Sequence, residues 1–255
     1  MGYLAKNAVY PKMYRVKQRL KDEKLKDIPA EVKKQLDGIG LREVLKPGME
    51  IGVCSGSRGV NNIAVIVKAA VDYVKECGAT PFIIPAMGSH GGATAEGQKH
   101  VLEKFGVSEE AMGCEIRSSM ETVQFENAEN GAPVYYDKTA YESDGVIIIN
   151  RVKPHTDFTA ANESGVVKML SVGLGKQKGA SAMHDNGLGK SIPAAAKVIL
   201  KNAKVLAGLG IVENGRDETY LIKAVKPENF IEEDAKLLEI SYGQVPKLPC
   251  RDIDI

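Results

Sequence analysis

The sequence predicts an α/β fold: a Rossmann-like, largely parallel sheet with flanking helices and a helical N-terminal arm. Short apolar, β-branched runs alternate along the chain with longer segments whose apolar residues recur at helical spacing. Gly-rich turns follow the first two apolar runs, as strand-to-helix turns do in parallel sheets. The 255 residues are 44% hydrophobic and 26% charged, which provides for a sizeable core and excludes a disordered chain.

Residues 1–47 read as the arm and 48–255 as one α/β domain. Within the arm, residues 14–37 (YRVKQRLKDEKLKDIPAEVKKQLD) are mostly charged and helix-favouring, and Pro29 stands where a second helix starts. Asp and Glu interrupt its basic run, so it reads as a solvated helix face packed on the body. Met49 to Cys54 is a buried strand. Asn61 to Cys77 is an amphipathic helix ended by Gly78, a good C-cap. Thr80 to Met87 is a second strand, followed by a helix over Ala95 to Phe105. Residues 114–143 read as short strands and turns, and Asp144 to Asn150 (DGVIIIN) as a third buried strand. Ser191 to Ala203 is helical, Lys204 to Val212 is a further strand, and Glu232 to Leu238 a short helix. The last residues, Asp252 to Ile255, resemble the beginning of a strand, so the chain is expected to continue into a C-terminal domain.

Composition narrows the function classes. The formal net charge of +1 gives no field that would recruit nucleic acid or an anionic membrane. Aromatic residues are 5% and Trp is absent, which disfavours single-strand binding by base stacking. The four cysteines (Cys54, Cys77, Cys114, Cys250) form no CxxC pair, so neither a disulfide framework nor a zinc knot is expected. The N-terminus has no apolar signal-peptide core, and no apolar run approaches the roughly 20 residues of a membrane span. The expected compartment is the cytoplasm, with no nucleic-acid or membrane partner.

Ligands of open α/β sheets bind outside the carboxyl ends of the strands. The first strand ends in Cys54-Ser55-Gly56-Ser57-Arg58-Gly59, the second in Gly88-Ser89-His90-Gly91-Gly92, the third in Arg151-Val152-Lys153-Pro154-His155-Thr156-Asp157. Polar, ionisable and Gly-rich loops therefore meet at one sheet edge. His90 and His155 become candidate acid/base residues there. Arg58, in a Gly/Ser turn, is a candidate anion contact. His184 follows a Gly-rich stretch. His100 lies inside a helical pattern and is assigned nothing, and Cys54 reads as a small core residue. Gly187-Leu188-Gly189-Lys190-Ser191 has the ending of a phosphate loop, but His184 replaces its first glycine. Gly173 to Lys178 lacks the third glycine of a dinucleotide fingerprint.

Taken together, GSRG (56–59), GSHGG (88–92), KPHTDF (153–158), ESGVVKMLSVGLGKQKGA (163–180) and His184 resemble the nickel-dependent lactate racemase family, from about Met49 to the C-terminus. The resemblance implies a nickel-pincer nucleotide: a pyridinium mononucleotide whose two sulfur-bearing arms and one ring carbon hold nickel (Ni). Lys168 matches the lysine that carries one arm as a thioamide. His184, sixteen residues later, matches the histidine that completes the nickel coordination. His90 and His155 match the acid/base pair on the substrate hydroxyl. Ser57 and Arg58 match residues engaging the cofactor, with Arg58 also expected to grip the substrate carboxylate. Hydride transfer to the pyridinium avoids deprotonating a very weak carbon acid, and imidazoles titrate near the operating pH. The implied activity is racemisation or epimerisation of a 2-hydroxy acid, with the cofactor-synthesis enzymes and a C-terminal domain of the same chain as partners. The loop Ser55 to Gly59 departs from the Asp-x-Thr-Arg-Pro form of lactate racemases, which points to a 2-hydroxy acid other than lactate. Two further readings use the same residues: an oxidoreductase with this cofactor, and a nucleotide- or metal-binding module without catalysis.

Overall fold

A computed structural model describes residues 15–57 and 59–248. The elements run α1 (Ile28–Gly38), α2 (Leu41–Val44), β1 (Glu50–Ser55), α3 (Ile63–Glu76), β2 (Thr80–Pro85), α4 (Ala95–Lys104), α5 (Glu109–Met112), β3 (Thr122–Gln124), β4 (Tyr135–Asp137) and α6 (Lys138–Glu142). They continue β5 (Gly145–Arg151), α7 (Val166–Lys168), α8 (Lys176–Asp185), α9 (Leu188–Asn202), β6 (Val205–Glu213), β7 (Thr219–Val225) and α10 (Phe230–Tyr242). The main sheet has the order β2-β1-β5-β6-β7 and is parallel except for β7; β3 and β4 form a small antiparallel pair. The Rossmann-like α/β class expected from the sequence is the class observed.

Alternation along the strands builds two cores. Ile51 and Val53 of β1, Ile147 and Ile149 of β5, and Leu209 and Ile211 of β6 bury themselves with residues of α1 and α3. Cys54, Ile84, Val146 and Ile148 point the other way, toward residues of α7, α9 and α10. Side chains two residues apart share a sheet face, so one buried run serves both layers. Helix α10 lies directly on β6, because a Cβ on Gly208 would meet the Phe230 ring at 2.8 Å and one on Gly210 would meet Leu237 at 2.5 Å.

One local expectation needs correction, and two elements were not anticipated. No helix forms among residues 15–27, where alternating charges leave no apolar stripe to bury. That segment runs along the β6–β7 turn instead: Leu25 N donates to Thr219 O at 2.9 Å and Asn214 Nδ2 to Glu23 O at 3.1 Å. The helical part of the arm is α1, with Pro29 in its first turn and Asp27 Oδ1 accepting from Ala30 N; its Val32 and Leu36 are fully buried. Thr219–Val225, unassigned from the sequence, is a strand, and Asn214-Gly215 before it was the available hairpin signal. Lys176–Asp185, likewise unassigned from the sequence, is a helix that begins inside the Gly-rich stretch.

The start of α8 is held by an unusual interaction. The Lys176 and Asp137 side chains are both fully buried, with Nζ 3.0 Å from Asp137 Oδ2. Nζ also donates to Pro85 O at the end of β2 and to Gln98 Oε1 of α4 at 3.3 Å. The ammonium group thus has two hydrogen-bond acceptors and a carboxylate counter-charge. Lys176 reaches them from a left-handed backbone (φ 54°), which costs an L-residue roughly 1–2 kcal/mol. Burial pushes the Asp137 carboxyl up, and the Lys176 charge opposes that shift. Lys176→Met should cost about 3–5 kcal/mol, because it leaves a buried carboxyl without its cation. Lys176→Met with Asp137→Asn should recover most of that loss in urea unfolding at neutral pH. Equal stability of the single and double variants would contradict this account.

Candidate active site

The strand order changes direction between β1 and β5: the chain leaves β1 toward β2 on one side and β5 toward β6 on the other. Loops after adjacent strands of this kind part and leave a crevice at their carboxyl ends. A cavity of about 350 Å³ lies there. Ser57, His90, His155, Lys168 and His184 all line it. Arg58 lies outside the described residues. His100 is on the exposed face of α4, beside Glu103, and does not line the cavity. Cys54 is fully buried, and burial pushes its thiol well up, which suits a small core residue.

Each side chain reaches the cavity by a different route. His90 follows β2 in a tight turn held from behind by Gln98, fully buried on α4. Gln98 Nε2 donates to Gly88 O at 2.8 Å and to His90 O at 3.3 Å. Its Oε1 accepts from Lys176, so the buried ion pair and the His90 loop share one network. In front, the Ser57 hydroxyl is hydrogen-bonded to His90 Nδ1. Gly88 N donates to Gly173 O at 3.0 Å, joining this loop to the segment after Lys168.

His155 follows β5 on the other wall. Glu163, 1% exposed, accepts from His155 N at 2.6 Å and from Ala160 N at 3.0 Å. The ring rests against Phe158 with centroids 4.5 Å apart, and its Nδ1 accepts from Asp157 N at 3.2 Å. Partial burial, then the nearby Lys168 charge, lowers the His155 pKa below the ordinary histidine value. Both effects disfavour the imidazolium, against smaller opposing contributions from the Asp157 and Glu163 charges.

Lys168 ends α7, whose helical path widens into a π-turn over Met169–Gly173. Such turns recur at functional sites because the extra residue re-aims the side chains around it. His184 sits near the C-terminal end of α8. Asn150, Arg151 and Lys153 also line the cavity and were not singled out from the sequence. Their place at the end of the DGVIIIN run was the signal for all three. Arg151 is engaged by the buried Glu213 and by Asp217 at 3.0 Å, and donates to Gly59 O at 3.2 Å; it braces the loop after β1. Asn150 Nδ2 donates to Gly165 O at 2.8 Å. Gln98 and Asp234 carried no local signal, and Glu163 stood only as the first residue of the 163–180 motif, with no role assigned.

No helix of the described residues is long and apolar enough to cross a membrane. The fold is similar to that of the lactate racemase apoprotein from Thermoanaerobacterium thermosaccharolyticum, with a TM-score of 0.63 and 16% identity. The likeness covers 87% of this chain and 57% of that one, so the chain spans little more than half of its structural neighbour. At that identity it shows a lactate racemase-like fold and no more. No curated protein matches the sequence. A family model described as "Domain of unknown function (DUF362)" matches residues 44–224, from α2 to β7 and thus through all five strands of the main sheet. The chain belongs to the DUF362 family.

Proposed function

We propose that this chain forms the catalytic centre of a racemase or epimerase of a 2-hydroxy acid that uses a nickel-pincer nucleotide. The observation that carries the reading is the convergence of His90, His155, Lys168 and His184 on one cavity at the β1/β5 crevice. These residues come from four separate loops and helices, and no structural need brings three histidines and a lysine together. The fold, shared with a lactate racemase, supports the same reading.

The donor chemistry fits the cofactor. Among the described residues, no three His, Cys, Asp or Glu side chains lie together to hold a metal by themselves. A nickel here would take one protein nitrogen, from His184, beside soft donors supplied by the cofactor itself. Lys168 would tether the cofactor. When bound, the group would supply a reversible hydride acceptor.

The chain's own part is to move protons and hold the substrate. A serine hydroxyl both donates and accepts, so Ser57 can support either neutral tautomer of His90. Proton exchange with the substrate hydroxyl then runs through Nε2. His155 is different, because its Nδ1 accepts from the Asp157 amide and its neutral ring therefore carries the proton on Nε2. From different walls of the cavity, one ring would take the hydroxyl proton as a neutral base and the other, entering as an imidazolium charged by a proton from solvent, would return one, with solvent exchange resetting the pair. Inversion of a carbinol centre needs this division, because the hydroxyl lies differently in the two enantiomers. Arg58 is proposed to grip the carboxylate, with Ser57 and Arg58 also meeting the cofactor. The substrate is proposed to be a 2-hydroxy acid other than lactate, in the cytoplasm, with cofactor-synthesis enzymes and a further C-terminal domain as partners.

In protein loaded by coexpression with cofactor-making enzymes, His90→Ala and His155→Ala should each lower kcat by about 100- to 10,000-fold. Substrate deuterated at the α-carbon should return its label to that carbon. Loss of label to an external acceptor would identify an oxidoreductase, and unchanged turnover in both variants would remove the reading. Separately, Lys168→Met removes a positive charge beside His155 and should raise that residue's titration midpoint, read from its imidazole NMR signals in the cofactor-free protein. A midpoint that stays put or falls would contradict the assigned coupling.

A further inference from the structure

Helix α10 lies beyond the stretch matched by the family model, which ends at residue 224. It contributes nothing to the wall of the main cavity. Yet two of its side chains, eight residues apart and so about 12 Å along the helix, reach the segment that carries the candidate chemistry. Asp234, 1% exposed, accepts at Oδ1 from Val166 N at 2.8 Å. Val166 is the first residue of α7, which ends in Lys168. Gly165, at the N-cap, offers no side chain of its own. Asp234 is therefore that helix's cap, supplied from another element. The fit is close: a Cβ on Gly165 would stand 2.0 Å from Asp234 Oδ1. Asn162 Nδ2 adds bonds to Ile231 O at 2.9 Å and Asp234 Oδ2 at 3.3 Å.

Toward the other end of α10, the Tyr242 hydroxyl donates to Glu163 Oε1 at 2.9 Å. Glu163 in turn holds the backbone of His155. One helix thus fixes both His155 and Lys168, through a carboxylate–amide cap and a tyrosine–carboxylate–amide chain. Stability alone is a poor explanation for Asp234. Burial raises its carboxyl to about 6, so ionising it at neutral pH works against folding.

We propose that α10 is the positioning element of the site: Asp234 sets the location of Lys168, and Tyr242, through Glu163, sets that of His155. The proposal rests on the reading that these two residues act in catalysis, but its first test does not. Amide hydrogen exchange in the cofactor-free protein should speed up roughly tenfold or more at Val166 in Asp234→Ala. Ile147 and Ile148, in the sheet, should keep their protection. Asp234→Asn retains an acceptor oxygen and should restore protection at Val166. Tyr242→Phe should speed exchange at His155 and, in loaded protein, lower kcat several-fold with little change in KM. Loading of Lys168, followed by the mass of its tryptic peptide, should fall in Asp234→Ala. Unchanged exchange at Val166 and His155 would overturn the proposal. So would a uniform loss of protection across the sheet, which would make α10 a general stabiliser. Should Asp234→Ala not fold, Tyr242→Phe decides, because it deletes one hydroxyl from a partly exposed side chain. If the exchange results hold while His155→Ala keeps full turnover, the catalytic reading fails and the positioning role stands.

Discussion

The buried contact between Lys176 and Asp137 is the constraint on which the arrangement of the site depends. An ammonium group with no solvent contact is tolerated only when it is paired and hydrogen-bonded. Here hydrogen-bond acceptors come from the end of β2 and from α4, and the counter-charge from β4. Satisfying one lysine therefore fixes three elements against the start of α8. Two of the candidate residues inherit that geometry. His90 follows the anchored strand end and is held by the same Gln98, and His184 rides on the helix that Lys176 begins.

Backbone groups do most of the remaining placement. The turn of His90, the amide of His155 and the first turn of the Lys168 helix are each gripped by a buried side chain from outside that segment: Gln98, Glu163 and Asp234. Gripping the main chain leaves the functional side chain available to the cavity and limits the directions in which it can move. The cavity is thereby pre-shaped, which reduces the ordering cost of binding. The two imidazoles are also set apart electrostatically. His90 has a hydroxyl partner of either polarity, whereas burial and Lys168 disfavour the charged form of His155.

Much of this was legible in the chain itself. The β-branched runs and their Gly-rich endings located the parallel strands, because a strand buried on both faces has to be continuously apolar. The rule that ligands lie beyond strand carboxyl ends then selected the loops of His90 and His155. Lys168 and His184 came from motif resemblance, since neither ends a strand. The helix α8 went unassigned because its glycines weaken the helical signal; in the fold, Gly175 and Gly179 are needed where the segment packs against Ser171. The upstream helix of residues 15–27 failed for the opposite reason, having helix-favouring residues without a face to bury.

The sequence by itself determined the α/β class, the strand cores and the chemical types gathered at one sheet edge. These depend on local period and on residue chemistry, which are written consecutively along the chain. Only the tertiary structure decided that the three histidines and Lys168 share one cavity, and that Gln98, Glu163, Asp234 and Lys176 hold the surrounding backbone. Those contacts join residues 8 to 91 positions apart. No period or motif encodes such a pairing; it exists only once the sheet has brought its strand ends together and a buried polar group must find a partner.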